Sequence, residues 1–175
     1  MRTRNIQDGF TLLEMLVSVA IIAMISVVLS QVFISTIRTN AKTEILKEVK
    51  QNGDLAVDTL TRMVQNATSV TCPTTKSLAI VNPDGNTTTI GCALDGTVTR
   101  LASASATTVY LSSGDVTLGG TDCASSTLQF TCTAVAGLPS QVTLSFSLAQ
   151  KGTPGDQFER ASETFQTSVS MRNDQ

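Results

Sequence analysis

The strongest constraint on the fold lies near the N-terminus, where the chain is predominantly apolar from Phe10 to Ile34. This stretch contains no Lys, Arg, Pro or Gly, and Glu14 is its one ionisable residue. A helix of this length spans the hydrocarbon core of a bilayer, which is ~30 Å thick. A carboxylate at the centre of such a helix costs ~2.5–3.5 kcal/mol on insertion scales, so Glu14 needs a partner. The residues from Met1 to Asp8 are too polar to belong to the span.

A short motif opens this apolar run and consists of Gly9, Phe10, Thr11, Leu12, Leu13 and Glu14. With the short basic leader before it, the motif resembles the class III signal of type IV pilins and pseudopilins. The resemblance implies that a prepilin peptidase cuts between Gly9 and Phe10 and methylates the new amine of Phe10. It also implies that Glu14 attracts the charged amine of a neighbouring subunit during filament assembly. The alternative is an ordinary signal anchor that is not cleaved.

The helical pattern continues beyond Ile34 but becomes amphipathic. Apolar residues recur at three- and four-residue steps through Ile37, Ala41, Ile45, Val49, Ala56, Leu60, Met63 or Val64, and Ala67. The stripe has a gap at Asn52-Gly53, where Gly costs ~1 kcal/mol relative to Ala, so we predict a bend or loosened turn there. The sequence therefore predicts one helix from about Phe10 to Ala67, with an assembly half at 10–34 and an amphipathic half at 35–68.

From Ser69 onwards, alternation and regular turn residues replace the helical spacing. Pro83-Asp84-Gly85-Asn86 lies between two β-prone runs and predicts a hairpin, and Asp95-Gly96 predicts a second turn. The clearest strands alternate from Val142 to Leu148 and from Phe165 to Met171. We predict six to eight short strands in an antiparallel sheet packed on the helix, which is an α+β fold. The predicted domains are a leader at 1–9, the helix, and a β-rich head at 69–175.

All four cysteines, Cys72, Cys92, Cys123 and Cys132, lie in the β-rich region. None forms a Cys-x-x-Cys pair, and an even number in an exported domain predicts disulfide bonds. Four cysteines allow three pairings, and the sequence does not select among them. We predict pairing of neighbours, Cys72 with Cys92 and Cys123 with Cys132. Free buried thiols are the alternative.

The composition argues against an enzyme, because His, the commonest general base, is absent. No spacing of a nucleophile and a base is present either. Oxygen-bearing residues such as Asp84, Asn86, Asp115 and Asp122 are ordinary turn formers, and calcium needs six to eight converging oxygens. We therefore predict no catalytic residue, no cofactor and no metal. The net charge is −2 without a block of like charge, so no direct nucleic-acid partner is predicted.

The resemblance implies a structural subunit of a type IV pilus or of a type II secretion-like filament. The chain end, Thr164–Asn173, and the helix end, Leu60–Ala67, resemble those of the larger minor pilins and pseudopilins, which favours a minor subunit acting in initiation or at the tip. Its implied partners are the prepilin peptidase, other subunits, the assembly platform and ATPase, and membrane lipid. It would begin as a single-pass protein of the cytoplasmic membrane and end in an extracytoplasmic filament. The alternatives are the major pilin and an exported, membrane-anchored binding domain that does not polymerise.

Overall fold

A computed structural model of the protein describes residues 10–134, 139–152 and 161–172. The chain divides into two compact units, Met1–Asn40 and Ala41–Gln175. Helix α1 includes residues of both units. The elements of the described residues are α1 Leu12–Gln65, β1 Ser69–Thr74, β2 Ser77–Val81, β3 Thr87–Asp95, β4 Val98–Ala104, β5 Thr108–Tyr110, β6 Val116–Thr117, β7 Gln129–Thr133, β8 Gln141–Gln150 and β9 Ser162–Ser170. The single helix predicted from about Phe10 to Ala67 is confirmed to within two residues at each end.

In the first unit, α1 is apolar and exposed on all sides. Every large hydrophobic side chain from Phe10 to Ile37 is at least 48% exposed. A helix that served as the core of a soluble domain would bury one face, so this exposure requires lipid or other protein around it. The helix is long enough and apolar enough to cross a membrane.

The hydroxyl groups within this apolar stretch are satisfied inside the helix. Ser18 donates to the carbonyl oxygen of Glu14 at 2.7 Å, and Ser26 and Ser30 each donate at 2.8 Å to the carbonyl four residues earlier. Hydrocarbon offers no partner to a polar group, so an unbonded hydroxyl would be costly there. These serines therefore do not oppose placement of the helix in lipid.

In the second unit, α1 buries one stripe formed by Val49, Gly53, Ala56, Leu60 and Val64. These residues follow the later part of the predicted apolar stripe, and Gly53 occupies its gap, whereas Ile37 and Ala41 at the start of the stripe are exposed. The ring of Phe165 lies where a side chain would be, because a Cβ built on Gly53 would come 2.0 Å from its Cζ atom. The helix is uninterrupted at this point, so the loosened turn predicted at Asn52-Gly53 is not found. Gly53 allows close packing instead.

The strands form two antiparallel sheets, so the predicted α+β class is confirmed. Five strands form a meander in the order β1-β2-β3-β4-β5. In the second sheet β8 pairs with β9 along most of its length, with β7 through Gln141–Ser145 and with β6 through Ala149–Gln150. We predicted one sheet of six to eight strands, whereas the described residues form nine strands in two sheets. Strand β6 has two residues, which is too short to produce an alternating pattern.

Both predicted turns are confirmed, since each depends on local chemistry. Gly85 and Gly96 have φ of 83° and 64°, in the left-handed region that favours glycine. In the first turn Asp84 Oδ1 accepts the backbone N–H of Asn86 at 2.9 Å. This bond, with a second from the side-chain amide of Asn86, holds the pKa of Asp84 below its ordinary value.

One core holds the helix and both sheets together. The inward residues of β8 alternate strictly, and the ring of Phe146 stacks on Phe165 with centroids 5.3 Å apart. The two sheets are joined through their backbones, because Phe130 donates to Thr75 at 2.8 Å and Leu118 donates to Thr99 at 2.9 Å. The head therefore behaves as one packed body.

The disulfide pairing differs from the predicted one. Cys72 is bonded to Cys132 and Cys92 to Cys123, so the predicted neighbour pairs, Cys72 with Cys92 and Cys123 with Cys132, are wrong. The reason is topological, since β1 and β7 meet where the two sheets adjoin. The Cys72–Cys132 bond thus links the sheets, and the Cys92–Cys123 bond attaches β3 to the loop before β7.

Peptide mapping of the full chain under non-reducing conditions should recover a peptide that joins Cys72 to Cys132 and another that joins Cys92 to Cys123. Replacing Cys72 and Cys132 by serine is expected to lower the free energy of unfolding by about 2–4 kcal/mol, because the bond closes a long loop. Thermal denaturation would measure this loss. A Cys72–Cys92 peptide, or free thiols in the unreduced protein, would contradict the structure.

Candidate processing and assembly site

The first turn of α1 is capped by Thr11. Its Oγ1 accepts the backbone N–H of Glu14 at 3.2 Å, and its carbonyl oxygen accepts the N–H of Met15 at 3.2 Å. Thr11 is therefore the N-cap residue and Glu14 the third residue of the helix. The order Thr-x-x-Glu is the sequence of a capping box, a local signal that was not among our predictions although the sequence contains it.

Glu14 lies in the first turn of the helix and is exposed. A negative side chain there is favoured by the unpaired N–H groups and by the helix dipole, typically by ~0.3–1 kcal/mol. Among the described residues Glu14 has no ion pair. Its carboxylate therefore remains available to a cation from another molecule.

Phe10 immediately precedes the cap and is 80% exposed. Its backbone lies outside the helix, which begins at Leu12. Gly9 lies outside the described residues, so cleavage between Gly9 and Phe10 and methylation of Phe10 stay predictions. The structure thus places Phe10, Thr11 and Glu14 together at the exposed start of an apolar helix.

Polar side chains of the head form hydrogen bonds within their own loops. Asp122 accepts the backbone N–H and the hydroxyl of Ser125, both at 2.7 Å, and these bonds hold the pKa of Asp122 below its ordinary value. In the described parts of the chain, no three His, Cys, Asp or Glu side chains come together as metal ligands would. The carboxylates of Asp84 and Asp122 thus each bind the backbone of their own turn.

Arg100 is the most buried ion-pair partner of the described head residues, and its surroundings are structural. Its guanidinium group donates to the carbonyl oxygen of Ser112 and, at 2.6 Å, to Asp95. It also lies 4.0 Å above the ring of Tyr110. These contacts bind β3, β4 and β5 to the segment that follows them.

Comparison with known families agrees with this N-terminal site. Residues 4–30 match the family model of the prokaryotic N-terminal methylation motif. Comparison with curated proteins and with solved structures gave no match.

The matched motif shows that the chain carries a class III prepilin signal, consistent with a type IV pilin or pseudopilin. The signal implies processing by a prepilin peptidase and assembly with other pilin subunits, and it points to a structural subunit. With the apolar helix, it fits a single-pass anchor in the inner membrane before assembly.

Proposed function

We propose that this chain is a minor pilin or pseudopilin that acts in the initiation or at the tip of a type IV pilus or a type II secretion-like filament. The observation that carries the proposal is the methylation motif at residues 4–30, which lies at the start of an exposed apolar helix. The minor role rests on the finer resemblance of the helix end and of the last strand to larger minor subunits.

The proposed sequence of events begins in the inner membrane. The peptidase removes residues 1–9 and methylates the amine of Phe10. The subunit is stored as a single-pass protein, and an assembly platform and ATPase then move it into an extracytoplasmic filament. The apolar residues exposed along α1 supply the surface that neighbouring helices would cover in place of lipid.

Cleavage creates the cation that Glu14 lacks. The amine of Phe10 lies four residues before Glu14, which would be ~6 Å along the axis if the helix extended to Phe10. A neighbour displaced by a few ångströms along the axis offers its own amine instead, and opposite charges attract strongly where water is excluded. Pairing between subunits would set the axial position of each newcomer and remove an unpaired charge from an apolar environment.

Mass spectrometry of the protein from cells with an active peptidase should show a chain that begins with N-methyl-Phe10. Replacing Gly9 by valine is expected to block the cut, because a side chain would hinder approach of the extended backbone to the protease. A matched control, Ala23→Val, changes an apolar helix residue and should leave processing intact. Recovery of the wild-type chain with an intact Met1 would contradict the proposal.

The number of copies in sheared filaments tests the subunit role. A minor subunit is expected at a small fraction of the most abundant subunit, as measured by quantitative mass spectrometry of peptides from the head. If this chain were itself the most abundant, it would be the major pilin. If it were processed but absent from every filament preparation, the filament function would be wrong.

A further inference from the structure

The tip of the hairpin between β2 and β3 has no role in the processing site or in the core. Its four residues, Pro83, Asp84, Gly85 and Asn86, are all exposed. A Cβ built on Gly85 would meet no atom within 4 Å, so the space around the tip is open. The tip therefore presents its side chains to solvent and to other molecules.

Asn86 begins the tripeptide Asn86-Thr87-Thr88, which has the Asn-x-Thr order of an acceptor for N-glycosylation. Acceptors of this kind lie on surface loops of exported proteins. The two disulfide bonds of the head fit an oxidising compartment outside the cytoplasm. Because a three-residue order also occurs by chance, the geometry around Asn86 decides whether it is a site.

A carboxylate lies against the side-chain amide of Asn86. Asp84 Oδ2 accepts an N–H of this amide at 2.9 Å, and Asp84 Oδ1 accepts the backbone N–H of Asn86 at 2.9 Å. An amide nitrogen is a weak nucleophile because its electron pair is delocalised into the carbonyl group. A charged acceptor on one of its N–H groups raises the electron density on the nitrogen. Asp84 thus orients the amide of Asn86 and makes its nitrogen more reactive.

The tripeptide continues directly into β3, which begins at Thr87. Side chains two residues apart on an extended chain share a face, which places the amide of Asn86 and the hydroxyl of Thr88 on one side. One backbone edge of the tripeptide lies along β2, whereas on the other edge the pairing of β3 with β4 starts only at Thr89. An enzyme can therefore approach this second edge without displacing a paired strand.

The same order occurs at Asn66-Ala67-Thr68, where the geometry differs. Ala67 is 1% exposed and belongs to the core. Thr68 donates both its backbone N–H and its hydroxyl to the carbonyl oxygen of Val81, at 2.9 and 3.0 Å. The residue two positions before Asn66 is Val64, which has no carboxylate. This second tripeptide is therefore fixed by the fold and lacks the activating group.

We propose that Asn86 is the acceptor of an N-linked glycan. The donor is a glycosyl diphosphate carried on a membrane lipid, because a lipid carrier supplies sugar on the side of the membrane where a disulfide-bonded head folds. In the transfer, Nδ2 of Asn86 attacks the anomeric carbon of the sugar and a carbon–nitrogen bond forms. The bond from that carbon to the diphosphate oxygen breaks, and the diphosphate leaves with its electron pair. The nitrogen releases one proton to a carboxylate or to water.

The surroundings of Thr88 determine when the transfer takes place. In the closed hairpin its hydroxyl accepts the side-chain amide of Asn82 at 2.9 Å, and Thr88 is 8% exposed. An enzyme that contacts this hydroxyl needs the tip to be open, so the transfer precedes closure of Asn82 onto Thr88. Closure then leaves Asn86 and its glycan in solvent. The step requires export of the head but does not depend on the proposed filament role.

The test uses the full chain, expressed in cells that carry a bacterial oligosaccharyltransferase and a polyprenyl-diphosphate oligosaccharide. Trypsin separates the two tripeptides, because Lys76 lies between them. Mass spectrometry should find one glycan on the peptide with Asn86 and none on the peptide with Asn66. Cells with an inactive transferase should give neither. Asn86→Gln should abolish the modification, and the matched control Asn66→Gln should leave it unchanged.

Two further comparisons test the neighbouring groups. Thr88→Ser keeps the hydroxyl and should keep the modification, whereas Thr88→Ala should reduce it about tenfold or more. Asp84→Asn can still accept the backbone N–H of Asn86 but has no charge, so it should also reduce the modification about tenfold. Circular dichroism should show that all variants are folded.

The proposal is overturned if Asn86 of the wild-type chain carries no glycan, or if Asn66 is modified to the same extent. It is also overturned if Asp84→Asn is modified as fully as wild type, or if cells without the lipid-linked donor still modify Asn86. Failure of filament assembly would leave this assay unaffected.

Discussion

Replacing Gly53 by alanine is expected to destabilise the head, although the same change stabilises most helices. Alanine is favoured over glycine within a helix by ~1 kcal/mol. Here the new Cβ would lie 2.0 Å from Cζ of Phe165, which is much closer than a van der Waals contact. Overpacking of a core typically costs about 1–3 kcal/mol and occasionally more, so we expect a net loss of about 1–2 kcal/mol for alanine and of about 3 kcal/mol for valine.

The measurement is thermal unfolding of the full chain in detergent, followed by circular dichroism. A loss of about 2 kcal/mol should lower the melting temperature by roughly 5–10 °C in a domain of this size. Gly114→Ala is the matched control, because the nearest atom to its added Cβ is Arg100 Nη1 at 3.9 Å. The double variant Gly53→Ala, Phe165→Leu should lose less than the sum of its single changes. A Gly53→Ala protein as stable as wild type would disprove the close contact.

Replacing Glu14 by alanine is expected to leave cleavage intact and to reduce incorporation into filaments about tenfold or more. The reason is that the amine of the neighbouring subunit loses its carboxylate partner, and a tenfold change corresponds to ~1.4 kcal/mol. The measurement is the ratio of filament to membrane protein, together with mass spectrometry of the N-terminus. Equal recovery of processed Glu14→Ala protein in filaments would show that Glu14 does not set the register.

Two conservative variants separate capping of the helix by Glu14 from pairing of its charge. Glu14→Gln can still complete a capping box with Thr11 but has no charge, so it should behave like alanine if the charge drives assembly. Glu14→Asp keeps the charge on a shorter side chain and should recover part of the incorporation. If Gln restored assembly fully, helix capping and not ion pairing would be the function of this residue.

The elements that the sequence predicted well depend on local chemistry. The apolar stripe of α1 follows the helix period, and the turns at Gly85 and Gly96 use residues that adopt positive φ readily. The alternation of β8 likewise predicted which side chains are buried. Each of these patterns is complete within a short stretch of chain, so no knowledge of distant residues is needed to interpret it.

The errors concern contacts between distant residues. The glycine at position 53 looked like a weak point because its partner, Phe165, belongs to the last strand. The disulfide pairs were assigned by proximity in sequence, whereas Cys72 and Cys132 are 60 positions apart and meet only after two sheets adjoin. The prediction of one sheet instead of two was wrong for the same reason. Alternation shows that a segment is a strand, but it does not show which other strands pair with it.

At the N-terminus the sequence alone predicted most of the processing and assembly site. The motif around Phe10 and Glu14 predicted the class of signal, because a processing enzyme recognises residues that are consecutive in the sequence. The structure added the cap at Thr11, which explains why Phe10 stands free of the helix. The motif does not predict the role of the subunit, because that role depends on surfaces of the head.

The hydrogen bonds of Ser18, Ser26 and Ser30 within the helix affect the energy needed to transfer this helix out of lipid. A polar group that is bonded to water or lipid headgroups must break that bond when it changes surroundings. These hydroxyls carry their acceptors with them, so transfer from hydrocarbon into a bundle of helices breaks none of their bonds. The apolar side chains exchange contacts with lipid for similar contacts with helices, so the three serines add no cost of their own to the exchange.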